Sequence, residues 1–119
     1  MLRFALKSKI HGARVNHVNL HYEGSLEMDE DLLTAADIRP NELVHVVNVN
    51  SGARFETYAI RGEKGSGIVS LNGGAARLGY VGDELLVFTF CLIETVEFSS
   101  HKPKIIRVDE QNRPIKPSS

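Results

Sequence analysis

Short segments of alternating or continuous apolar residues, each closed by a cluster of turn-forming residues, dominate this chain of 119 residues. Such segments are typical of β-strands, because the side chains of a strand point alternately to its two faces. The clusters between them contain glycine, asparagine, serine and aspartate, as turns do. The predicted strands are residues 15–22, 43–49, 55–60, 68–71, 84–93 and 105–108. Many short strands with few helices indicate a mainly β domain, and in particular a small β-barrel.

Helical patterns are limited to two places. Residues 30–38 are predicted to form a helix with Asp29 as its N-cap, because an aspartate side chain can accept a hydrogen bond from the first free backbone N–H groups. A further helical turn is predicted at residues 74–78, and Gly79 ends it. The apolar face of the first helix is expected to contain Leu32, Leu33 and Ala36.

The composition changes after residue 108. Residues 109–119 are polar and spaced by prolines, and are therefore expected to form a loosely ordered tail. Residues 1–108 are expected to form one domain with a single core. A domain of this size is marginally stable alone and often gains stability by assembling with copies of itself.

The charge balance excludes several classes of function. Lysine and arginine number 14, aspartate and glutamate 15, and the net charge is −1. No overall field therefore attracts nucleic acid or an acidic membrane, and an anionic ligand must be held by local groups. The sequence has neither a long apolar run nor an apolar signal segment after Met1, so a cytoplasmic protein is expected. The lone Cys91 is expected to be a buried, inert thiol.

Five histidines invite the hypothesis of a metal site. His17 and His21 are four residues apart on one predicted strand, which separates their side chains by roughly 13 Å. One ion cannot bridge that distance, and no cysteine or carboxylate cluster has ligand spacing. No metal cofactor is therefore expected.

The segment His21-Tyr22-Glu23-Gly24-Ser25 suggests that the chain can cut itself. The Ser25 hydroxyl can attack the carbonyl of Gly24, because glycine has no side chain to block the approach. The amide then becomes an ester, and loss of the Ser25 Cα proton with expulsion of the ester oxygen leaves a dehydroalanine. Hydrolysis of that group gives a pyruvoyl group at a new N-terminus. The pair alone is weak evidence, because Gly65-Ser66 repeats it and such pairs are common in turns.

Other segments strengthen this hypothesis by their order along the chain. With His21-Tyr22-Glu23-Gly24-Ser25, the sequence from Leu2 to about Phe90 resembles the aspartate 1-decarboxylase family, which is pyruvoyl-dependent and self-processing. The resemblance is carried by Lys9 and His11, by Arg54, Thr57 and Tyr58, and by Asn72-Gly73-Gly74-Ala75. It fades from about Cys91 onward. Alanine is common in the family where this chain has Gly74.

The resemblance implies a fold, an activity and an assembly. The fold is a six-stranded double-psi β-barrel. The activity is removal of the α-carboxylate of L-aspartate to give β-alanine for pantothenate, after cleavage into residues 1–24 and 25–119. The cofactor is a covalent pyruvoyl group made from Ser25, which accepts electrons as carbon dioxide leaves; neither a metal nor pyridoxal phosphate is needed. A homotetramer with sites at subunit borders is implied, and whether an accessory protein assists maturation stays open.

The resemblance also assigns roles to individual residues. Ser25 and Tyr58 are the expected catalytic residues, with Tyr58 returning a proton to the substrate carbon. Thr57 is expected to support processing through a hydrogen bond to the Gly24 carbonyl and to contact the substrate. Arg54 suits a carboxylate because the guanidinium group is a planar fork of donors. The further expected substrate contacts are Lys9, Asn72, Gly73, Gly74 and Ala75, and His11 is a possible one.

Two alternatives remain open on the sequence. In the first, the protein is a non-catalytic β-barrel module in which Gly24-Ser25 is only a turn, and Arg54 with Lys9 binds a small anion. In the second, it is a processed but inactive relative. The size of the purified chain separates the first alternative from the enzyme, and turnover of L-aspartate separates the second.

Overall fold

A computed structural model describes residues 1–115, and strands make up most of its regular structure. The mainly β prediction is confirmed. The strands are β1 (Leu2–Arg14), β2 (His17–Asn19), β3 (Ser25–Asp29), β4 (Leu43–Asn48), β5 (Arg54–Gly62), β6 (Val69–Asn72), β7 (Glu84–Glu94), β8 (Lys104–Val108) and β9 (Pro114–Ile115). The helices are α1 (Glu30–Ala35), α2 (Thr95–Phe98) and a 3₁₀ helix (Gly73–Leu78). No helix within residues 1–115 is long and apolar enough to cross a membrane.

The strands pair in the order β2-β6-β3-β5-β4-β7-β1-β8-β9. Only Val15 and Asn16 separate β1 from β2, so the continuous run β1–β2 pairs with β7 at one end and with β6 at the other. The pairings thus connect β1–β2, β6, β3, β5, β4 and β7 in a circuit. Most neighbours are antiparallel, but β2 runs parallel to β6, β3 to β5, and β1 to β8. The circuit has the six strand positions that the family resemblance implies; the double-psi connection itself stays a prediction.

Two asparagines connect the end of β1 to the start of β6 through hydrogen bonds, and we call this connection the join. The Asn16 backbone N–H donates to the Val69 carbonyl at 3.0 Å, and its side chain accepts from the Val69 N–H and donates to the Gly67 carbonyl. The buried Asn112 side chain accepts from the Arg14 N–H at 2.7 Å and donates to the carbonyls of Arg14 and Gly67. The second asparagine therefore fastens the C-terminal turn to this join.

The prediction of a loosely ordered tail is wrong for residues 109–115. These residues form a turn that leads into β9, and β9 pairs with β8. Their polar composition suggested disorder, but the side-chain amide of Asn112 makes hydrogen bonds to the join and so holds the turn in place. Residues 116–119 lie outside the described residues.

The core is one cluster of buried side chains, contributed by β1, β3, β4, β5, β6 and β7 together with α1. As predicted, Asp29 caps α1 by accepting a hydrogen bond from the Asp31 N–H, and Leu32, Leu33 and Ala36 are buried. The helix ends at Ala35 rather than residue 38, because the chain turns through a left-handed residue at position 37. The largest fully buried apolar side chains of the core are Ile10, Val15, Leu26, Met28, Leu32, Val44, Val46, Leu71, Val69, Leu85 and Val87.

Five of the six predicted strands are present within one or two residues of the expected bounds, but the sixth is mostly absent and, besides β9, two strands were not predicted. Of the predicted strand 15–22, only β2 is present, and the apolar side chains of Val18, Leu20 and Tyr22 are exposed. The long strand β1 was not predicted, because two register shifts against β7 interrupt its alternation. Strand β3 was not predicted either: its five residues do alternate, but the segment is short and contains no β-branched or aromatic residue.

Burial and hydrogen bonding of Asp29 generate a testable prediction. The side chain is 2% exposed and accepts hydrogen bonds from the backbone N–H groups of Gly65, Asp31 and Gly67. Burial raises the pKa of Asp29, but the three N–H groups, with the charge of Arg113, outweigh burial and hold this pKa below its usual value. The charged form therefore stabilises the fold above about pH 4, and this contribution is lost as pH falls through the folded pKa.

We expect Asp29→Asn to lower the free energy of unfolding at pH 7 by about 1–3 kcal/mol, because the amide donates where the carboxylate only accepts. Urea unfolding measured from pH 7 down to pH 3 checks this. The difference from the wild type should narrow below about pH 4, because Asp29 of the unfolded chain then takes up a proton and the charged native form loses its advantage. Asp37→Asn, at an exposed left-handed position that asparagine tolerates, is the matched control. A difference that is constant with pH would contradict this account.

Candidate active site at the start of strand β3

Ser25 begins β3 and is completely buried, whereas Gly24 before it is exposed. The Ser25 hydroxyl donates to the Glu23 carbonyl oxygen at 3.1 Å and accepts from Asn72 Nδ2 at 3.2 Å. The first contact is local, and the second arises from topology, because β3 pairs with β6 and places Ser25 directly opposite Asn72. The Ser25 hydroxyl is therefore fixed beside the peptide bond that it was predicted to cut.

The Asn72 amide is the centre of a buried polar cluster. Its Oδ1 accepts from the Ser70 hydroxyl at 2.7 Å, and its Nδ2 also donates to Glu27 Oε1 at 3.3 Å. Sequence reasoning missed Glu27 and Ser70. The available signal was their spacing: each lies two residues from a predicted site residue, and such pairs share a strand face. Because β3 was not recognised as a strand, that signal was not used.

Gly73 brings the start of the 3₁₀ helix against the predicted cleavage segment, residues 21–25. Its φ is +62°, and a Cβ there would lie 2.6 Å from both Gly24 Cα and Gly24 N, and 2.8 Å from the Tyr22 carbonyl oxygen. Such distances are well inside van der Waals contact, so only glycine fits. The next two residues differ from it: Gly74 is exposed with open space around it, and Ala75 is buried.

Ser25 and Tyr58 line one depression, of about 310 Å³, which we call the serine depression. Its other lining residues are Tyr22, Glu23, Pro40, Ile60 and Arg61. Strand β5 runs beside β3 and so carries Tyr58 to this place. Thr57, the neighbour of Tyr58 on β5, is half-buried. Among residues 1–115 of the uncut chain, no hydrogen bond joins its hydroxyl to the Gly24 carbonyl.

Arg54 lies in a different depression, of about 420 Å³, which we call the arginine depression. Lys9 lies near it, since its Nζ is 5.6 Å from the centroid of the Phe88 ring that lines the depression. The remaining lining residues are His45, Val46, Val47, Phe55, Glu56 and Phe90. Arg54 and Tyr58 are four residues apart on β5, a separation of roughly 13 Å along a strand. The predicted substrate cations are thus together, but away from Ser25 within one chain.

His11 belongs to neither depression. It lines a third one of about 340 Å³, together with Arg14, Glu84 and Arg107. This depression also contains part of the C-terminal turn, from Val108 to Glu110. The single chain therefore brings Ser25, Tyr58, Asn72 and Gly73 together, groups Arg54 with Lys9 elsewhere, and leaves His11 apart from both.

Known proteins of one family match this chain along nearly its whole length. A family model described as aspartate decarboxylase matches residues 1–115, and so continues past Phe90, where the resemblance was expected to fade. A protein of Thermoanaerobacter pseudethanolicus is 51% identical over 97% of this chain and 98% of its own length. One of Caldicellulosiruptor saccharolyticus is 52% identical over 100% and 93%, and one of Syntrophobacter fumaroxidans is 53% identical over 97% and 93%. All three relatives are named aspartate 1-decarboxylase.

The two adjacent glycines generate a testable prediction. We expect Gly73→Ala to lower the free energy of unfolding by about 1–3 kcal/mol, because the new Cβ meets the Gly24 backbone and the left-handed φ becomes strained. Gly74→Ala is the matched control and should change stability by less than about 0.5 kcal/mol, because its Cβ enters open space. Denaturant unfolding of both variants measures the difference. Equal effects would show that the Gly73–Gly24 contact does not constrain the fold.

Proposed function

The chain belongs to the aspartate decarboxylase family, and its activity is decarboxylation of aspartate; from this premise we propose that Ser25 supplies the reactive group after cutting its own backbone. Removal of the carboxylate at carbon 1 gives β-alanine, the precursor used for pantothenate. The contact between the Ser25 hydroxyl and the cleavage segment is the observation that carries this proposal. It is supported by the burial of Ser25 and by its hydrogen bond from Asn72.

Cleavage proceeds by transfer of the Gly24 acyl group from nitrogen to oxygen. Ser25 Oγ attacks the Gly24 carbonyl carbon, the C–N bond breaks, and the amine takes the hydroxyl proton, which leaves an ester. A base then removes the Ser25 Cα proton, and the carboxylate of Gly24 departs with the C–O electron pair. Water converts the resulting dehydroalanine to a ketone with release of ammonia. The products are residues 1–24 and a pyruvoyl-capped chain of residues 25–119.

The residues around Ser25 fit a pyruvoyl group. A ketone oxygen only accepts hydrogen bonds, and the buried Asn72 amide already presents its N–H toward position 25. When formed, the pyruvoyl group supplies an electron sink for loss of the carboxylate. Asn72 would hold this group, and the fully buried start of β3 would shield it from water. No metal or pyridoxal phosphate is part of the proposal.

Tyr58 is the proposed general acid, because its ring lines the serine depression together with Ser25. Its hydroxyl returns a proton to the substrate carbon that has lost its carboxylate. Thr57 is proposed to support cleavage through the Gly24 carbonyl, which requires a hydrogen bond that the uncut chain does not yet make. The backbone N–H groups of Gly73, Gly74 and Ala75 are proposed to contact a substrate carboxylate.

Substrate binding is proposed to use two copies of the chain. Arg54, supported by Lys9, would hold the side-chain carboxylate of aspartate, but roughly 13 Å of strand separates Arg54 from Tyr58, more than this small substrate spans. In the proposed assembly, the arginine depression of one copy lies against the serine depression of another copy, and the two depressions together form one complete site. Exposed apolar side chains near the arginine depression supply contact area for such a homotetramer: Phe4, Leu43, Phe90 and Leu92. His11 and an accessory maturation protein remain possible contributors.

The cleavage proposal predicts two fragments in the intact mass of purified protein. The larger fragment should carry a carbonyl that reacts with hydrazines. Ser25→Ala should stay whole, because it lacks the attacking hydroxyl. Ser66→Ala, which changes the other Gly-Ser pair, is the matched control and should be cleaved normally. An unbroken wild-type chain that still releases carbon dioxide from aspartate would refute the mechanism.

If each site is shared by two copies of the chain, as proposed, two inactive variants should complement each other. Tyr58→Phe should cleave normally and lose most turnover, because only its proton donor is removed, and Arg54→Ala should lose turnover through substrate binding. In oligomers assembled from equal amounts of both, about one site in four combines an intact Tyr58 with an intact Arg54. Activity should therefore return to roughly that fraction of the wild type. Mixed oligomers that stay inactive would mean that both residues act from the same chain.

A further inference from the structure

Glu27 contacts the cluster around Ser25, and the proposed reaction has not used it. Its Oε1 accepts a hydrogen bond from Asn72 Nδ2 at 3.3 Å, and the same nitrogen donates to Ser25 Oγ. Resting on the proposed function, we propose that Glu27 is a positioning residue: it fixes the Asn72 amide so that the amide N–H group, rather than the amide oxygen, faces position 25.

The register of β3 and β6 brings these groups together. Ser25 is opposite Asn72, and Glu27 is opposite Ser70. Residues directly opposite in an antiparallel pair share a face, as do residues two apart on one strand. The four side chains therefore occupy one face of the β3–β6 pair. Ser25, Ser70 and Asn72 are buried and Glu27 is half-buried.

Among these four residues, only the carboxylate distinguishes the two ends of the Asn72 amide. The Ser70 hydroxyl contacts Oδ1 and the Ser25 hydroxyl contacts Nδ2, but a hydroxyl both donates and accepts. Rotation of the amide by half a turn would leave both serine contacts satisfied. An ionised carboxylate only accepts, so the rotated amide would place Oδ1 against Glu27. Glu27 therefore determines which end faces Ser25.

This orientation matters before and after cleavage. In the uncut chain, an N–H donated to Ser25 Oγ leaves the hydroxyl proton directed at the Glu23 carbonyl, as observed. A rotated amide would instead take that proton on Oδ1 and turn the hydroxyl away from its present position. After cleavage, a ketone at position 25 only accepts hydrogen bonds, and a rotated amide would oppose it with another oxygen.

The first test is the rate of cleavage of newly made chains, followed by intact mass. Glu27→Gln keeps the shape of the side chain but both donates and accepts, so it should cleave at least about tenfold more slowly than the wild type. Glu63→Gln, an exposed glutamate on the loop after β5, is the charge-matched control and should cleave at the wild-type rate. Ser70→Ala should slow cleavage by less than about threefold, because Ser70 accepts either orientation.

The second test measures the amide directly and needs neither cleavage nor turnover. The side-chain amide signals of Asn72 in an NMR spectrum are assigned by their loss in Asn72→Ser. In the wild type, the Nδ2 protons should show contacts to the protons of residue 25 and of Glu27. In Glu27→Gln, the contact to residue 25 should weaken by about half as both orientations become populated.

The outcomes separate this inference from the proposed function. A wild-type chain that is never cut would refute the proposed function, and the NMR comparison would still decide the orientation. Cleavage of Glu27→Gln as fast as Glu63→Gln would overturn the role of Glu27 while the cleavage mechanism stands. Equal slowing by Ser70→Ala and Glu27→Gln would also overturn it, because packing of the cluster, not the acceptor-only carboxylate, would then control Asn72. Unchanged amide contacts in Glu27→Gln would do the same.

Discussion

Asn16, between β1 and β2, makes three hydrogen bonds to the segment that leads into β6. One involves its backbone N–H, and the other two involve the oxygen and nitrogen of its side-chain amide. This join directs the chain from β1 into β2 and so fixes β6 between β2 and β3. The position of β6 in turn places Asn72 opposite Ser25. Asn112 strengthens the same join from the C-terminal turn, so a segment far from Ser25 in sequence supports the strand that holds its partner.

The predicted cleavage segment, residues 21–25, has a buried end that is fixed by hydrogen bonds and an end that is exposed to solvent. Ser25 is held by strand pairing and by two hydrogen bonds, while Gly24 and the residues before it lie on the surface. Gly73 approaches this segment so closely that no side chain fits between them. In the proposed cleavage, Ser25 would lose little further conformational freedom on attack, because it is already fixed against its own backbone. Burial of polar groups is tolerated here because each buried side-chain nitrogen or oxygen atom within residues 1–115 has a hydrogen-bond partner.

The proposed assembly explains why the residues for one substrate lie in two depressions. Strand β5 carries both Arg54 and Tyr58, but a strand is extended, and the four-residue separation puts them out of reach of one small molecule. A chain of 119 residues also buries only a modest core, and several large apolar side chains remain exposed. Association of copies would cover that surface and complete the site through the same contact.

The sequence by itself determined the mainly β class, β4 to β8 and the Asp29 cap of α1. Through family resemblance it also predicted Ser25, Tyr58, Asn72 and Gly73 as site residues. These features depend on local patterns and on motifs that are contiguous in the chain. Tertiary structure alone decided that β1 and β3 are strands, that residues 109–115 are fastened to the fold, that Arg54 lies away from Ser25, and that Glu27 and Ser70 join Asn72. Bulges shift the alternation of β1, and β3 alternates over only five residues that include none of the β-branched or aromatic types favoured in strands. Contacts of this kind arise from strand register between distant segments, which no local pattern encodes.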